Sequence, residues 1–214
     1  ILLVAFCSFV YLKKQFFSSS KPKEETIKKT LVFDSSLKDI TLIDDERYVL
    51  VSPKDVNWQS NDLVITRNYV VSSFVSYDQT YSKEYKRLSS KLTAFEILTY
   101  DLRKKNFEEK RIDLKKTVEK YTSEYSLIDD GSMENIGFGI HHDNIDCIEV
   151  FVSKKNNIKE RKTLLLNLEN GKLTELSEAM EEVLLAQNSF PSLSRTNLDD
   201  ILYFNGFSDL NDLG

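Results

Sequence analysis

Two histidines, two cysteines and three pairs of aspartates are the residues whose types could carry chemistry in this chain of 214 residues. The histidines stand together in His141-His142-Asp143, and such a cluster binds transition metals when further ligands converge on it. Neighbouring strand residues point to opposite faces of a sheet, so at most one histidine would share a face with Asp143. We therefore interpret this cluster as a solvated turn and predict no metal site.

The paired acids recur along the chain as Asp44-Asp45, Asp129-Asp130 and Asp199-Asp200. Their carboxylates would suit Ca²⁺ if the pairs converged, but none lies in a D-x-D-x-D-G loop. Aspartate also accepts hydrogen bonds from nearby backbone N–H groups in turns. We therefore interpret the three pairs as turn residues.

Cys147 lies between isoleucines in a predicted strand, and Cys7 lies in an apolar N-terminal run. A cysteine in such surroundings is a small core residue rather than a nucleophile. The chain has no G-x-S-x-G, P-loop, G-x-G-x-x-G or H-E-x-x-H motif. We predict no catalytic residue and no cofactor. Hydrolysis by two carboxylates stays an alternative, because spacing along the chain does not determine spacing across strands.

The composition is that of a folded domain, with 41% hydrophobic and 29% charged residues. The net charge is -5, and both signs are scattered along the chain. Nucleic-acid binding needs a basic stripe that the sequence does not show. We therefore expect no nucleic-acid partner.

The first seventeen residues have the composition of a membrane anchor. Residues 1–12 are uncharged and apolar, and Lys13-Lys14 and Phe16-Phe17 follow, as cations and aromatics do at a bilayer interface. Twelve residues are too few to span a bilayer. Because the chain starts at Ile1, we expect the natural segment to be longer. We predict a single-pass helix over 1–17 and a polar tether over 18–30.

Two alternatives compete with the anchor: a secretory signal segment and a buried core element. We expect the anchored protein to sit in the cell membrane with its bulk outside the cytoplasm. Lys13-Lys14 alone would argue for the opposite orientation.

From residue 31 onward the pattern is mainly that of β-strands. Short runs rich in β-branched and aromatic residues are separated by polar turns. Strands are predicted within 31–33, 40–51, 63–77, 95–102, 107–114, 136–140, 145–153, 163–168 and 173–176. The run at 63–77 is either one bent strand or two strands that turn near Arg67-Asn68.

Three segments have helical features. Tyr81, Tyr85, Leu88 and Leu92 recur at helical spacing, so we predict a short amphipathic helix or an inserted loop over 80–92. One or two helical turns are predicted within 115–125. A further helix is predicted from Glu178 to Ala186.

Asn170-Gly171 is the most specific local signal. Both residue types tolerate positive φ, so the pair predicts a tight two-residue hairpin of type I′ between two short strands.

A short motif of two aspartates preceded by apolar residues occurs three times in the chain. Leu42-Ile43-Asp44-Asp45 returns as Leu127-Ile128-Asp129-Asp130, and a shorter form occurs at Leu198-Asp199-Asp200. Each of the first two copies precedes a series of strands and turns, which resembles the four-stranded blades of β-propellers. The resemblance implies a mainly β domain of antiparallel meanders over 31–214. Its units would lie near 37–126 and 127–197, with a partial unit at 198–214. A two-sheet sandwich is the alternative.

Aromatic residues between 69 and 125 are the best basis for a binding surface, because tyrosine joins an apolar ring to a polar tip. We predict protein contacts through Tyr77, Tyr81, Tyr85 and Leu88. The expected function is a membrane-tethered, non-catalytic protein-binding domain, an accessory subunit of a cell-envelope complex. An extracytoplasmic sensor or immunity-type protein and an envelope hydrolase are the alternatives.

Overall fold

The structure is a computed structural model that describes residues 26–43, 48–55, 63–128, 135–142, 145–176, 192–195 and 202–205. The first seven strands are β1 Ile27–Asp34, β2 Leu37–Ile43, β3 Tyr48–Pro53, β4 Val64–Ile65, β5 Tyr69–Tyr81, β6 Arg87–Asp101 and β7 Glu109–Asp113. Helix α1, Leu114–Tyr121, follows them. The remaining strands are β8 Tyr125–Leu127, β9 Ile136–His142, β10 Ile145–Lys154, β11 Asn157–Asn167, β12 Leu173–Glu175, β13 Ser192–Arg195 and β14 Leu202–Asn205.

The central sheet is an antiparallel meander built on the long β5–β6 hairpin. Strands β4, β5, β6 and β7 pair in chain order, and β1 pairs with the second half of β5. Strands β4 and β1 therefore share one side of β5.

The second sheet repeats this arrangement. Strands β9, β10, β11 and β12 pair in chain order, and β8 pairs with the last residues of β10. The third sheet has the order β13-β14-β3-β2, so it joins a hairpin from the start of the chain to one from its end.

The central sheet is buried on both faces. Odd-numbered β5 residues such as Val71 and Tyr77 pack with Ile148, Val150 and Leu166 of the second sheet. Even-numbered residues on β5 and β6 pack with β2 and β3, in a cluster formed by Val70, Leu98, Tyr100, Leu37, Val49 and Val51. Because side chains alternate along a strand, these two core clusters place the central sheet between the other two.

Most of the predicted strands are confirmed. The run at 63–77 forms two strands, β4 and β5, which are separated by a turn at Arg67-Asn68. The helical turns predicted within 115–125 are α1, which Asp113 caps by accepting a hydrogen bond from the Lys116 N–H at 2.9 Å. The helix predicted over 178–186 lies outside the described residues. Residues 27–30, predicted as tether, belong to β1.

The helix predicted over 80–92 is wrong. These residues end β5, form a turn and begin β6. The four-residue spacing of Tyr81 and Tyr85 fits a helix, but 89–93 is rich in serine and threonine, which suit a strand better than a helix interior. The paired β5–β6 ladder, which runs from Tyr69↔Asp101 to Tyr81↔Arg87, overrides the weak helical pattern.

The tight hairpin predicted at Asn170-Gly171 is also wrong in type. Of the two residues, only Gly171 has a positive φ, at 70°. The loop between β11 and β12 spans five residues, 168–172, rather than two. The Asn167 side chain determines this loop, since its Oδ1 accepts hydrogen bonds from the N–H groups of Glu169 and Asn170 at 3.0 and 3.1 Å.

Strands β8 and β9 both pair with the same edge of β10, and Asn135 lies between them. Its side chain accepts a hydrogen bond from the Ile128 N–H at 2.6 Å and donates one to the Ile128 carbonyl at 3.1 Å. Asn135 is 0% exposed, and its own carbonyl accepts from the Phe151 N–H. The amide group therefore pairs with Ile128 as a strand backbone would.

Gly139 marks a close approach of β9 to β4. A Cβ atom there would lie 2.7 Å from the Ile65 carbonyl oxygen. That oxygen is backbone and has little room to move, so the second sheet needs glycine at this contact.

The repeat prediction is confirmed only in its coarser form. The described chain is mainly β and contains two antiparallel four-stranded meanders, but their first strands are β4 and β9. The predicted first unit also included β2 and β3, which lie in the third sheet. The described residues do not close into a propeller ring. All three aspartate pairs lie outside the described residues.

Candidate functional site: a basic hairpin tip

The β5–β6 hairpin projects beyond β7, the strand that pairs with the outer edge of β6. Strand β7 pairs only with residues 96–100 of β6, whereas β6 continues to Arg87. Strand β1 supports the projecting part on the other side, from Asp34↔Phe74 to Ile27↔Tyr81. We call residues 27–30 and 78–91 the basic tip.

Backbone hydrogen bonds define the turn that closes this tip. The Ser82 N–H donates to the Lys86 carbonyl at 2.9 Å, and the Tyr85 N–H donates to the Ser82 carbonyl at 3.0 Å. Tyr85 has a φ of 59°, in the left-handed region that glycine usually occupies at this hairpin position. A tyrosine there costs conformational free energy, which is a common property of functional loops.

Cations outnumber acids in the basic tip. Its cations are Lys28, Lys29, Lys83, Lys86, Arg87 and Lys91, and its acids are Asp78 and Glu84. The whole chain has a net charge of -5, so the remainder is strongly acidic. This cluster is not apparent in the sequence, because its cations come from two separated segments that the pairing of β1 with β5 brings together.

The acids of the tip do not neutralise it. Asp78 accepts a hydrogen bond from the Thr30 hydroxyl at 2.9 Å. A hydrogen bond from Ser82 holds the pKa of the Glu84 carboxyl below its usual value. In the described part of the chain, no ion pair joins Lys28, Arg87 or Lys91 to a carboxylate.

Aromatic rings and one cation pack together on the tip. The Lys29 Nζ lies 5.5 Å from the Tyr85 ring centroid and 5.8 Å from that of Tyr81. The Tyr81 hydroxyl donates to the Gln79 side-chain oxygen, and Gln79 Nε2 donates to Ser90 Oγ at 3.3 Å. Lys29 and the Gln79 chain of hydrogen bonds therefore hold Tyr81 and Tyr85 in place.

The four residues predicted to make protein contacts have very different environments. Tyr77 is 0% exposed and packs between the central and second sheets, so it has no surface to offer. Tyr81 is half-buried. Tyr85 and Leu88 are 68% and 48% exposed, and both lie on the basic tip.

The second hairpin ends at the same end of the molecule. Asn68, just before β5, donates from Nδ2 to the Asp146 carboxylate near the start of β10 at 2.7 Å. The starts of β5 and β10 therefore lie together, and both strands run from there into the core that the two sheets share. The β10–β11 hairpin is also basic, with Lys154, Lys155, Lys159, Arg161 and Lys162 against Glu160. Strand β5 is three residues longer than β10, so the basic tip projects further, by roughly 10 Å.

The opposite end holds a polar cavity of about 340 Å³ between the central and second sheets. Arg103 donates to both carboxylate oxygens of Asp101 at 2.9 Å and to the Tyr69 hydroxyl at 2.7 Å. The Arg103 hydrogen bonds hold the pKa of Asp101 below its usual value, and burial raises that of Tyr69. Asp101 is thus kept ionised, which suits an ion pair rather than a general acid.

Cys147 is a poor nucleophile, and the histidine cluster lies partly outside the described residues. Burial raises the pKa of the half-buried Cys147 thiol to about 11, so the nucleophilic thiolate is scarce at neutral pH. His141 and His142 end β9, and Asp143 lies outside the described residues. Among the described residues, no group of three or more His, Cys, Asp or Glu side chains is placed to hold a metal ion.

The predicted anchor over 1–17 lies outside the described residues. Within the residues that are described, no helix has the length and apolar character needed to cross a bilayer. Comparison of the chain with protein-family models, curated proteins and solved structures finds no significant match. The basic tip is therefore interpreted from its own chemistry.

Proposed function

We propose that this chain is a membrane-tethered, non-catalytic domain that binds another protein of the cell envelope, as an accessory subunit of a membrane complex. The proposal is supported above all by the projecting part of the β5–β6 hairpin. Among the described residues, the two core clusters that cover the rest of the central sheet include no residue of 78–91.

The side of β6 that faces away from β5 is the contact surface in this proposal. Residues 87–91 have no strand neighbour on that side among the described residues, because β7 begins its pairing at Glu96. All of them except Ser90 are exposed. An unpaired strand edge offers backbone N–H and C=O groups to an extended segment of a partner.

The proposed partner is a membrane protein, because the N-terminal segment joins the domain at the basic tip. Strand β1 begins at Ile27, opposite Tyr81 at the end of β5. An anchor over 1–17 would therefore hold the uncovered edge near the bilayer, within reach of neighbouring membrane proteins. The outer face of β1 adds an exposed apolar residue, Val32, which is 55% exposed.

Site-specific photo-cross-linking tests this proposal in membranes of the organism that makes the protein. A photoreactive amino acid replaces Ser89 on the open edge, and a control variant carries it at Lys105, an exposed residue at the opposite end. We expect one protein of the membrane fraction to be cross-linked from position 89 and not from position 105. Equal labelling from both positions, or none from position 89, would contradict the proposal.

A further inference from the structure

The turn that closes the basic tip has the chemistry of a surface that lies on an anionic bilayer. Lys83, Lys86 and Arg87 are exposed and lie within two residues of Tyr85 in the chain, and exposed Leu88 follows. Cations that attract acidic headgroups, together with an aromatic and an aliphatic side chain that enter the interface, are typical of membrane-surface elements.

The position of the tip relative to the N-terminal segment supports the same partner. Residues 18–26 separate the apolar segment from Ile27, and nine extended residues span at most about 30 Å. Ile27 pairs with Tyr81, four residues before Tyr85. A chain anchored through residues 1–17 therefore keeps Ile27 within about 30 Å of the headgroups, and the turn begins beside Ile27.

The charge distribution favours this orientation over the reverse one. The second hairpin adds Lys155 and Lys159 at the same end of the molecule, whereas the acidic remainder of the chain would be repelled by anionic lipid. A second copy of the chain is disfavoured as the occupant, because two basic tips would repel each other.

We propose that the turn 82–88 docks on anionic phospholipid headgroups and orients the domain on the membrane. This inference rests on the tethered function proposed above. Docking points the tip at the bilayer and turns the open edge of β6 sideways, toward neighbours in the membrane plane. The conformational cost of a left-handed Tyr85 then serves a purpose, since it goes with an aromatic ring that is 68% exposed on the turn.

Fluorescence quenching by brominated lipids tests the docking. The full chain carries Trp58→Phe and Tyr85→Trp, so that its one indole lies on the turn. It is reconstituted into vesicles of brominated phosphatidylcholine, alone or mixed with brominated phosphatidylglycerol. We expect quenching in the mixed vesicles and little in phosphatidylcholine alone.

Charge and position are controlled separately. Replacing Lys83, Lys86 and Arg87 by glutamine should weaken docking by about fivefold per charge, whereas Lys104→Gln with Lys105→Gln, at the opposite end, should leave it unchanged. The position control carries Trp58→Phe with Ile145→Trp, because Ile145 is exposed at the start of β10. Its indole should stay unquenched.

Flotation of the same vesicles separates the two proposals. If the chain does not float with the vesicles, the proposed membrane anchor is wrong. Lipid is still present in that sample, so the quenching measurement still tests whether the turn docks. A chain that floats while its indole stays unquenched overturns docking alone. Equal quenching at positions 85 and 145, or in neutral and anionic vesicles, also overturns it. A cross-linker at position 85 that labels a protein instead of lipid would assign the turn to the protein partner.

Discussion

Two residues of this fold, Asn135 and Tyr85, have unusual backbone-related roles, and both can be tested. Asn135 pairs with Ile128 through its amide group, and Tyr85 occupies a backbone conformation suited to glycine. The first contributes to stability and the second opposes it. Neither role could be predicted from the sequence, because each depends on a contact or a torsion angle that residue type does not determine.

Asn135→Ala should lower the free energy of unfolding by about 2 kcal/mol, because it leaves the N–H and carbonyl of buried Ile128 without these partners. Urea denaturation followed by circular dichroism measures the change. Asn156→Ala, in the exposed β10–β11 turn, is the matched control and should change stability little. A loss for Asn135→Ala no larger than that of the control would contradict the role assigned to this side chain.

Tyr85→Gly should raise the free energy of unfolding by about 0.5 kcal/mol. The left-handed conformation costs an L-residue roughly 1–2 kcal/mol, and the greater freedom of glycine in the unfolded chain offsets part of the gain. The same variant should lose docking to anionic vesicles. Leu88→Gly, in a strand, is the control and should be destabilising. Lower stability of Tyr85→Gly would show that Tyr85 is retained for packing rather than for contact.

At the scale of elements, strand positions follow from the sequence more closely than strand partners do. Short apolar runs bounded by polar turns predicted β3, β10 and the second half of β11. The hairpin at 80–92 was missed because its long ladder is a cooperative property of two strands. Likewise, the turn after Asn167 depends on a side chain outside the Asn-Gly pair.

The turn that follows β6 should make stability depend on pH through Asp101. The hydrogen bonds from Arg103 hold the pKa of this carboxyl below its usual value. Such a carboxylate contributes its full stabilisation at pH values above its unfolded pKa of about 4. This stabilisation is lost as the pH falls through the folded pKa. Asp101→Asn should therefore be less stable than the unsubstituted chain at neutral pH, with a difference that shrinks below about pH 4.

Chemical denaturation at a series of pH values measures this difference. Asp39→Asn, on β2, controls for the loss of one carboxylate outside the Arg103 contact. A difference between Asp101→Asn and the unsubstituted chain that stays constant down to low pH would show that the Arg103 contact does not carry the effect.

At the scale of the whole molecule, the chain is polarised. One end carries two basic hairpin turns and the entry of the N-terminal segment, and the other carries the Asp101–Arg103 cavity. The sequence showed scattered charge because the cations become neighbours only when β1 pairs with β5 and the two meanders stack in the same direction. The predicted contact residues Tyr81, Tyr85 and Leu88 lie on the β5–β6 hairpin rather than on a helix.

Hydrogen–deuterium exchange of the full chain tests most directly whether the basic end is the working surface of the molecule. Backbone exchange is compared between chains in membranes of the producing organism and chains in detergent. We predict slower exchange in membranes for residues 82–91 and no change for residues 102–108 at the opposite end. Unchanged exchange at 82–91, or protection confined to 102–108, would contradict the account.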